Sequence, residues 1–297
     1  MNKQLKSNML LVLTAAIWGF AFVAQRIGAE FVGAFTFNGI RFLLGSFSLI
    51  PLILIMKRKS QTDTSYIIKA GLVAGCFLFM GANLQQLGMD EKLFGADAAT
   101  AGKSGFITSL YMVLIPIISI FLKRKPDKYT WTGVFMALIG LYLLCVNEKL
   151  QIARGDYVVF AGAFFWAEHV LFIDHIVKKV DSLVLSSIQF FVCGLLSLLC
   201  AFILKEPFTS EAIKGALLPI CYGGFLSVGV AYTLQVVAQK DANPTHAAII
   251  MSLESVFAAI GGMLILKETM EIKGIIGCVL IFVGILISQK LIFKKKA

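Results

Sequence analysis

Hydrophobic residues in this chain run in long blocks broken by short polar stretches, and the blocks recur from one end of the sequence to the other. A run of about 20 apolar residues crosses a hydrocarbon core of roughly 30 Å as a helix. Ten such blocks are read: Met9–Ala29, Phe35–Met56, Ile67–Leu87, Ala99–Leu122, Tyr129–Cys145, Tyr157–Val177, Leu183–Leu204, Ala212–Ala238, Thr245–Leu266 and Ile272–Ile292. The pattern predicts an all-α integral membrane protein of ten transmembrane helices. The first block begins like a secretory signal, with Lys3 and Lys6 ahead of an apolar core. No small-residue cleavage site follows, so it is kept as an uncleaved helix.

Composition agrees with that reading: 58% of the 297 residues are hydrophobic and 15% charged, with a mean hydropathy of +0.85. A soluble domain of this length is excluded. The net charge of +10 does not point to nucleic acid, because the basic residues sit in short loops between blocks and report orientation instead. With an inner N-terminus, the inner segments carry 17 Lys and Arg and the outer loops 7. A multi-pass protein of the cell membrane with both termini cytoplasmic is therefore expected. All six cysteines fall inside the blocks at no metal-ligand spacing and read as packing residues. No Walker-type or dinucleotide loop is present, and no cofactor or metal is expected.

The chain repeats itself. A shift of 148 residues lays Trp18 on Trp166, Arg41 on Gln189 and Phe42 on Phe190, and a shift of 150 lays Leu84-Gln85 on Leu234-Gln235. Shifts of 143 and 144 match Ser109-Leu110 with Ser252-Leu253, and Gly133 and Gly140 with Gly277 and Gly284. This near-constant offset predicts two five-helix repeats, residues 1–147 and 148–297. Five is odd, so the second repeat crosses the membrane in the opposite sense to the first. Secondary transporters use such inverted-topology repeats for alternating access.

The segments AAIWGFAFVAQRIG, FNGIRF, TAGKSGFITSLYMVLIP, AFFWAEHVLF and SLESVFAAIGGMLILKET together resemble the EamA family of the drug/metabolite transporter superfamily. The resemblance covers nearly the whole chain. It implies ten helices in two inverted repeats, a central cavity lined by helices 1–4 and 6–9, and helices 5 and 10 outside it. Family members often carry Glu-Pro where this chain has Glu254-Ser255, and Gly-Glu where it has Lys267-Glu268, with Lys123-Arg124 in the first half. The missing proline removes the usual cause of a kink at that point.

A charged side chain at the bilayer centre costs about 2.5–3.5 kcal/mol, so one that is kept normally faces a bundle interior or a wet cavity. Arg41, Lys103, Glu168 and Glu254 are the clear cases, with His169 and His246 as companions. Arg41 shares a helix face with Asn38, Gly45 and Ser48; it either holds a carboxylate bidentately or caps backbone carbonyls. Lys103, whose counterpart in the second repeat is His246, either attracts an anionic group or reaches headgroups. Tyr111, together with Ser104 and Thr108, extends the stripe that Lys103 begins. Gln85 pairs with Gln235 across the repeats, Gln189 with Arg41, and Tyr232 and Gln235 share a face with Gln239. Trp18 and Trp166 lie near mid-membrane, away from the interfacial belt, as an aromatic wall or as packing.

These residues define the expected site: Trp18, Asn38, Arg41, Gln85, Lys103, Tyr111, Trp166, Gln189, Tyr232, Gln235 and His246 for substrate, and Glu168, His169 and Glu254 for proton coupling. Between Glu168 and His169, which point about 100° apart, Glu168 is the one expected in the cavity. His169 and His175 lie too far round the helix to share one metal ion. The expected function is secondary transport of a small metabolite through the bilayer. The alternative is a membrane enzyme acting on lipid head groups, with Glu168 and His169 as acid and base. The spaced glycines read as close helix-packing faces within a monomer or between the chains of a homodimer.

Overall fold

The computed structural model describes residues 3–56, 63–99, 101–145, 152–265, 267 and 271–289, with residues 101–103 and 145 described by backbone alone. All regular structure among them is helical. Long single helices are α1 (Lys3–Phe31), α2 (Ala34–Met56), α3 (Thr64–Gly88), α6 (Arg154–Ile176) and α7 (Ser182–Ile203). Between and after them come α4, in pieces α4a (Ala101–Ser109) and α4b (Tyr111–Phe121), then α8 (Leu217–Ala238), and α9, in pieces α9a (Pro244–Met251) and α9b (Glu254–Ile265). Each of these eight spans is long and apolar enough to cross a membrane, whereas α5 (Lys128–Cys145) and α10 (Ile272–Ser288) are apolar but shorter.

Local chemistry sets the ends. Asp63, Asp181 and Asn243 each accept from a backbone N–H of the first turn of α3, α7 and α9a, which satisfies donors the helix cannot. α4b and α7 stop at a lysine in the left-handed region, Lys123 (φ 58°) and Lys205 (φ 55°). In both, two backbone N–H groups fold back onto the last turn: Lys123 to Ile120 and Arg124 to Ser119, Lys205 to Phe202 and Glu206 to Ala201.

The breaks in α4 and α9 fall at Leu110 and at Ser252-Leu253, the Ser-Leu pair that recurs between the two halves of the sequence. Neither break contains proline. At each the backbone tightens to three-residue bonding, with Leu110 N donating to Ile107 O and Leu253 N to Ile250 O. The Ser252 hydroxyl also donates to Ile249 O at 2.7 Å, offering the chain a local alternative to the helix ladder. α8 starts at Leu217, after a separate short helix Ser210–Gly215, and Tyr222–Tyr232 winds as a π-helix.

α2 packs on α7 and α8, α3 on α6 and α7, α1 on α8 and α9b, and α5 on α10. The α5–α10 contact takes up all four spaced glycines. A Cβ on Gly140 would stand 2.5 Å from Gly277 O, and one on Gly133 would stand 2.6 Å from Gly284 O. The small-residue faces are therefore occupied inside one chain.

Candidate functional site

A cavity of about 490 Å³ lies among α1, α2, α3, α4, α6, α8 and α9, and its polar lining includes Trp18, Arg41, Gln85, Trp166, Gln235 and Glu254. Its floor is aromatic. Tyr232 stacks on Trp166 with ring centres 5.9 Å apart and planes at 17°, and meets Trp18 at 4.5 Å. Each indole N–H is committed to a neighbouring helix: Trp18 Nε1 donates to Ser227 O at 3.2 Å and Trp166 Nε1 to Gln85 Oε1 at 3.3 Å. Two further bonds, Tyr222 Oη to Ile17 O at 2.9 Å and Thr14 Oγ1 to Ala231 O at 3.2 Å, tie α1 along the π-helical stretch. The wall that carries Trp18 is thus fixed by side chains reaching backbone carbonyls, and that of Trp166 by the Gln85 amide.

Arg41 enters from α2, 3% exposed. Its Nε donates to Asn38 Oδ1 at 2.8 Å, and its guanidinium lies 4.8 Å from the centre of the Phe42 ring. Asn38 is held in turn: its Nδ2 donates to Asn83 Oδ1 at 3.0 Å, and Asn83 Nδ2 donates to Ser197 Oγ at 2.8 Å. This chain of neutral amides orients the guanidinium without neutralising it. Glu254, 4% exposed, opens α9b just after the break. Its Oε1 accepts from Tyr111 Oη at 3.3 Å and from Ser109 Oγ at 3.4 Å, both supplied by the matching break in α4. Among the described residues neither Arg41 nor Glu254 has an oppositely charged partner.

A charge is expensive to bury alone, so a guanidinium and a carboxyl bordering one cavity mark a place where ligand charge or a proton compensates. The aromatic floor suits an apolar or planar body between the guanidinium and the carboxyl. Gln235 Oε1, buried without a donor among the described residues, leaves a further hydrogen-bonding position at the wall.

Trp18, Arg41, Gln85, Tyr111, Trp166, Tyr232, Gln235 and Glu254 thus meet at one cavity. Asn38 stands behind Arg41. His169 and Gln189 form a buried pair, Nε2 to Oε1 at 2.8 Å, with the imidazole edge-on to Trp166, and neither borders the cavity. His246 lies elsewhere, 3.3 Å from Thr130 Oγ1 at a second cavity. The Lys103 side chain falls outside the described residues. Glu168 is half-buried and shares the outer face of α6 with the exposed Phe164 and His175, not the cavity lining. The inward position beside it belongs to His169.

Gln25, Phe22, Ser227 and Met251 also line the cavity. Trp18, Phe22 and Gln25 are spaced i, i+4, i+7 on α1, so one helix face carries the signal that finds two of them.

A model of the EamA-like transporter family matches residues 5–146 and again residues 153–289. An uncharacterized transporter of Archaeoglobus fulgidus is 29% identical over 96% of this chain and 86% of its own length. The uncharacterized transporter YoaV of Bacillus subtilis is 23% identical, covering 96% of this chain and 97% of its own. One solved crystal structure superposes with a TM-score of 0.78 at 17% identity, over 98% of this chain and 99% of that one, which is a likeness of fold.

Proposed function

This chain belongs to the EamA-like transporter family, and from that premise we propose that it is a secondary transporter moving a small metabolite through the membrane by alternating access. The observation that carries the reading is the pair of buried ionisable side chains, Arg41 and Glu254, bordering one aromatic-floored cavity with no oppositely charged partner among the described residues. Arg41 takes the anionic group of the substrate. Glu254 exchanges a proton with one side of the membrane at a time and so couples the cycle to a proton gradient.

The proposed machine is two inverted five-helix repeats, residues 1–147 and 148–297, with all ten helices crossing. The helix contacts support this: α3 packs on α6 and α7 as α8 packs on α1 and α2, and α1 packs on α9b as α6 packs on α4. Advancing the helix number by five turns one set of contacts into the other. The excess of Lys and Arg in the segments on the side of the termini favours a cell-membrane protein with both termini cytoplasmic. The lipid-enzyme reading is disfavoured, because Glu168 and His169 point to different surroundings and share no site.

Reconstitution into proteoliposomes tests the proposal. A solute that shifts the thermal unfolding of the purified protein should cross the vesicle membrane faster with protein than without. An imposed pH gradient should drive that flux in the wild type and leave it unchanged in Glu254→Gln. Gradient-driven flux persisting in that variant would refute the proton role of Glu254.

A further inference from the structure

A second cavity, of about 520 Å³, opens where α4b ends, α5 begins and α9a begins. It lies on the face where α1 starts and α10 ends: Ser7 Oγ donates to Ala238 O at 2.5 Å just before α9a, and Asn8 Nδ2 to Gln289 Oε1 at 3.3 Å beyond α10.

Ser119, 2% exposed, lines this cavity with a hydroxyl that has no hydrogen-bond partner among the described residues. A buried, unpartnered hydroxyl facing a polar cavity is a group waiting for a ligand or water. The left-handed turn at Lys123 reverses the chain over it and sets Arg124 and Lys125 at the rim. Across the opening stands the positive end of the α9a dipole, with Thr245 in its first turn. Two carboxylates stand nearby and both are engaged. Asp127 Oδ1 accepts the N–H and the hydroxyl of Thr130, each at 2.9 Å, and Asp174 pairs with Nη1 of Arg124. His246 shares the Thr130 hydroxyl on the far wall.

We propose that this cavity binds a phosphate group, borne either by a free phosphate compound or by the headgroup of an anionic lipid. Lys125 supplies the uncommitted charge. Arg124 contributes the N–H groups not used by Asp174, and the Ser119 and Thr245 hydroxyls complete a ring of donors suited to an anion with several acceptor oxygens. Donors come from α4b with its following loop and from α9a, so the bound phosphate joins these two segments.

The test uses the full-length protein in detergent, titrated with inorganic phosphate against potassium chloride at matched ionic strength and read by thermal unfolding. Phosphate should raise the unfolding temperature saturably and chloride should not. Lys125→Ala should weaken the response about tenfold. Ser119→Ala should weaken it while leaving the phosphate-free unfolding temperature unchanged, since it only removes an unpaired hydroxyl. Arg41→Ala, in the central cavity, should leave the response intact, so this site is judged separately from the transport site.

Nanodiscs of phosphatidylcholine with and without phosphatidylglycerol separate the two sources. A lipid occupant predicts phosphatidylglycerol retained on the protein in native mass spectrometry, lost in Lys125→Ala, and no added effect of free phosphate in its presence. A free phosphate ligand predicts a phosphate response that is the same in both nanodiscs. Absence of both a saturable phosphate shift and lipid retention, or responses unchanged in Lys125→Ala and Ser119→Ala, would overturn the proposal.

Discussion

At the scale of single residues, Arg41 and Glu254 carry the weight, because each is a buried ionisable group whose hydrogen-bond partners are neutral. The Arg41 guanidinium is aimed by Asn38 and backed by the Phe42 ring, a planar arrangement that an ammonium cannot reproduce. Arg41→Lys keeps the charge and should still weaken binding of a carboxylate-bearing substrate about tenfold, or about 1.4 kcal/mol, in isothermal titration. Equal affinity in that variant would mean that Arg41 acts as a point charge alone. Most of these residues are legible in the sequence for one reason: a polar side chain inside an apolar block needs an inward face. That rule says nothing about which of two adjacent polar residues turns inward. Glu168 and His169 show its limit, since helical geometry fixes the angle between them but not the direction of either, and the outer face fell to Glu168. His246 shows another, because a residue at the start of α9a reaches the membrane face, well short of the cavity.

At the scale of elements, α5 and α10 meet backbone to backbone through glycine. Gly140→Leu drives its side chain into Gly277 O and the Ile281 side chain, where a Cβ alone stands 2.5 and 2.8 Å away. Overpacking of this kind costs about 1–3 kcal/mol, so a clearly lowered unfolding temperature is expected in detergent, while Gly105→Ala, whose Cβ would meet nothing nearer than Ser255 Oγ at 3.9 Å, serves as a contrast. The lysines that end α4b and α7 are the opposite case. A side chain in the left-handed region costs about 1 kcal/mol that glycine avoids, so Lys205→Gly should raise the unfolding temperature. No change would mean that the Lys205 side chain makes compensating contacts. Block lengths mark the spans at the level of sequence, but the breaks do not show there: the Ser-Leu pair reads only as a repeat, and the missing proline at Glu254-Ser255 argues against a kink. The π-helix over Tyr222–Tyr232 has no signature there either: its wider turn answers to contacts with α1 and α2, which lie far away along the chain.

At the scale of the whole molecule, the cavity is off-centre. Its α1 lining begins at Trp18 and runs to Gln25, in the half of that helix away from the N-terminus. Between it and the face bearing the termini lies a plug of buried apolar residues, Leu11 and Ala15 of α1, Met112 and Ile115 of α4b, and Ala247 and Ile250 of α9a. Beyond the plug, α5 and α9a touch through Thr130 Oγ1 and His246 Nε2, 3.3 Å apart. In the proposed cycle this is the side that is shut, and opening it requires α4b and α5 to part from α9a, which breaks that contact. Linking the two positions should therefore hold the molecule in one state. In a chain whose native cysteines are replaced, Thr130→Cys with His246→Cys, bridged by oxidation or a short thiol-reactive linker, should lose flux in proteoliposomes and regain it when an oxidised bridge is reduced. Each single variant should keep transporting. Substrate should still shift the unfolding of the bridged protein, because the central cavity lies on the other side of the plug. Undiminished flux through the bridged chain would mean that the solute passes without these segments separating, and alternating access about this face would have to be abandoned.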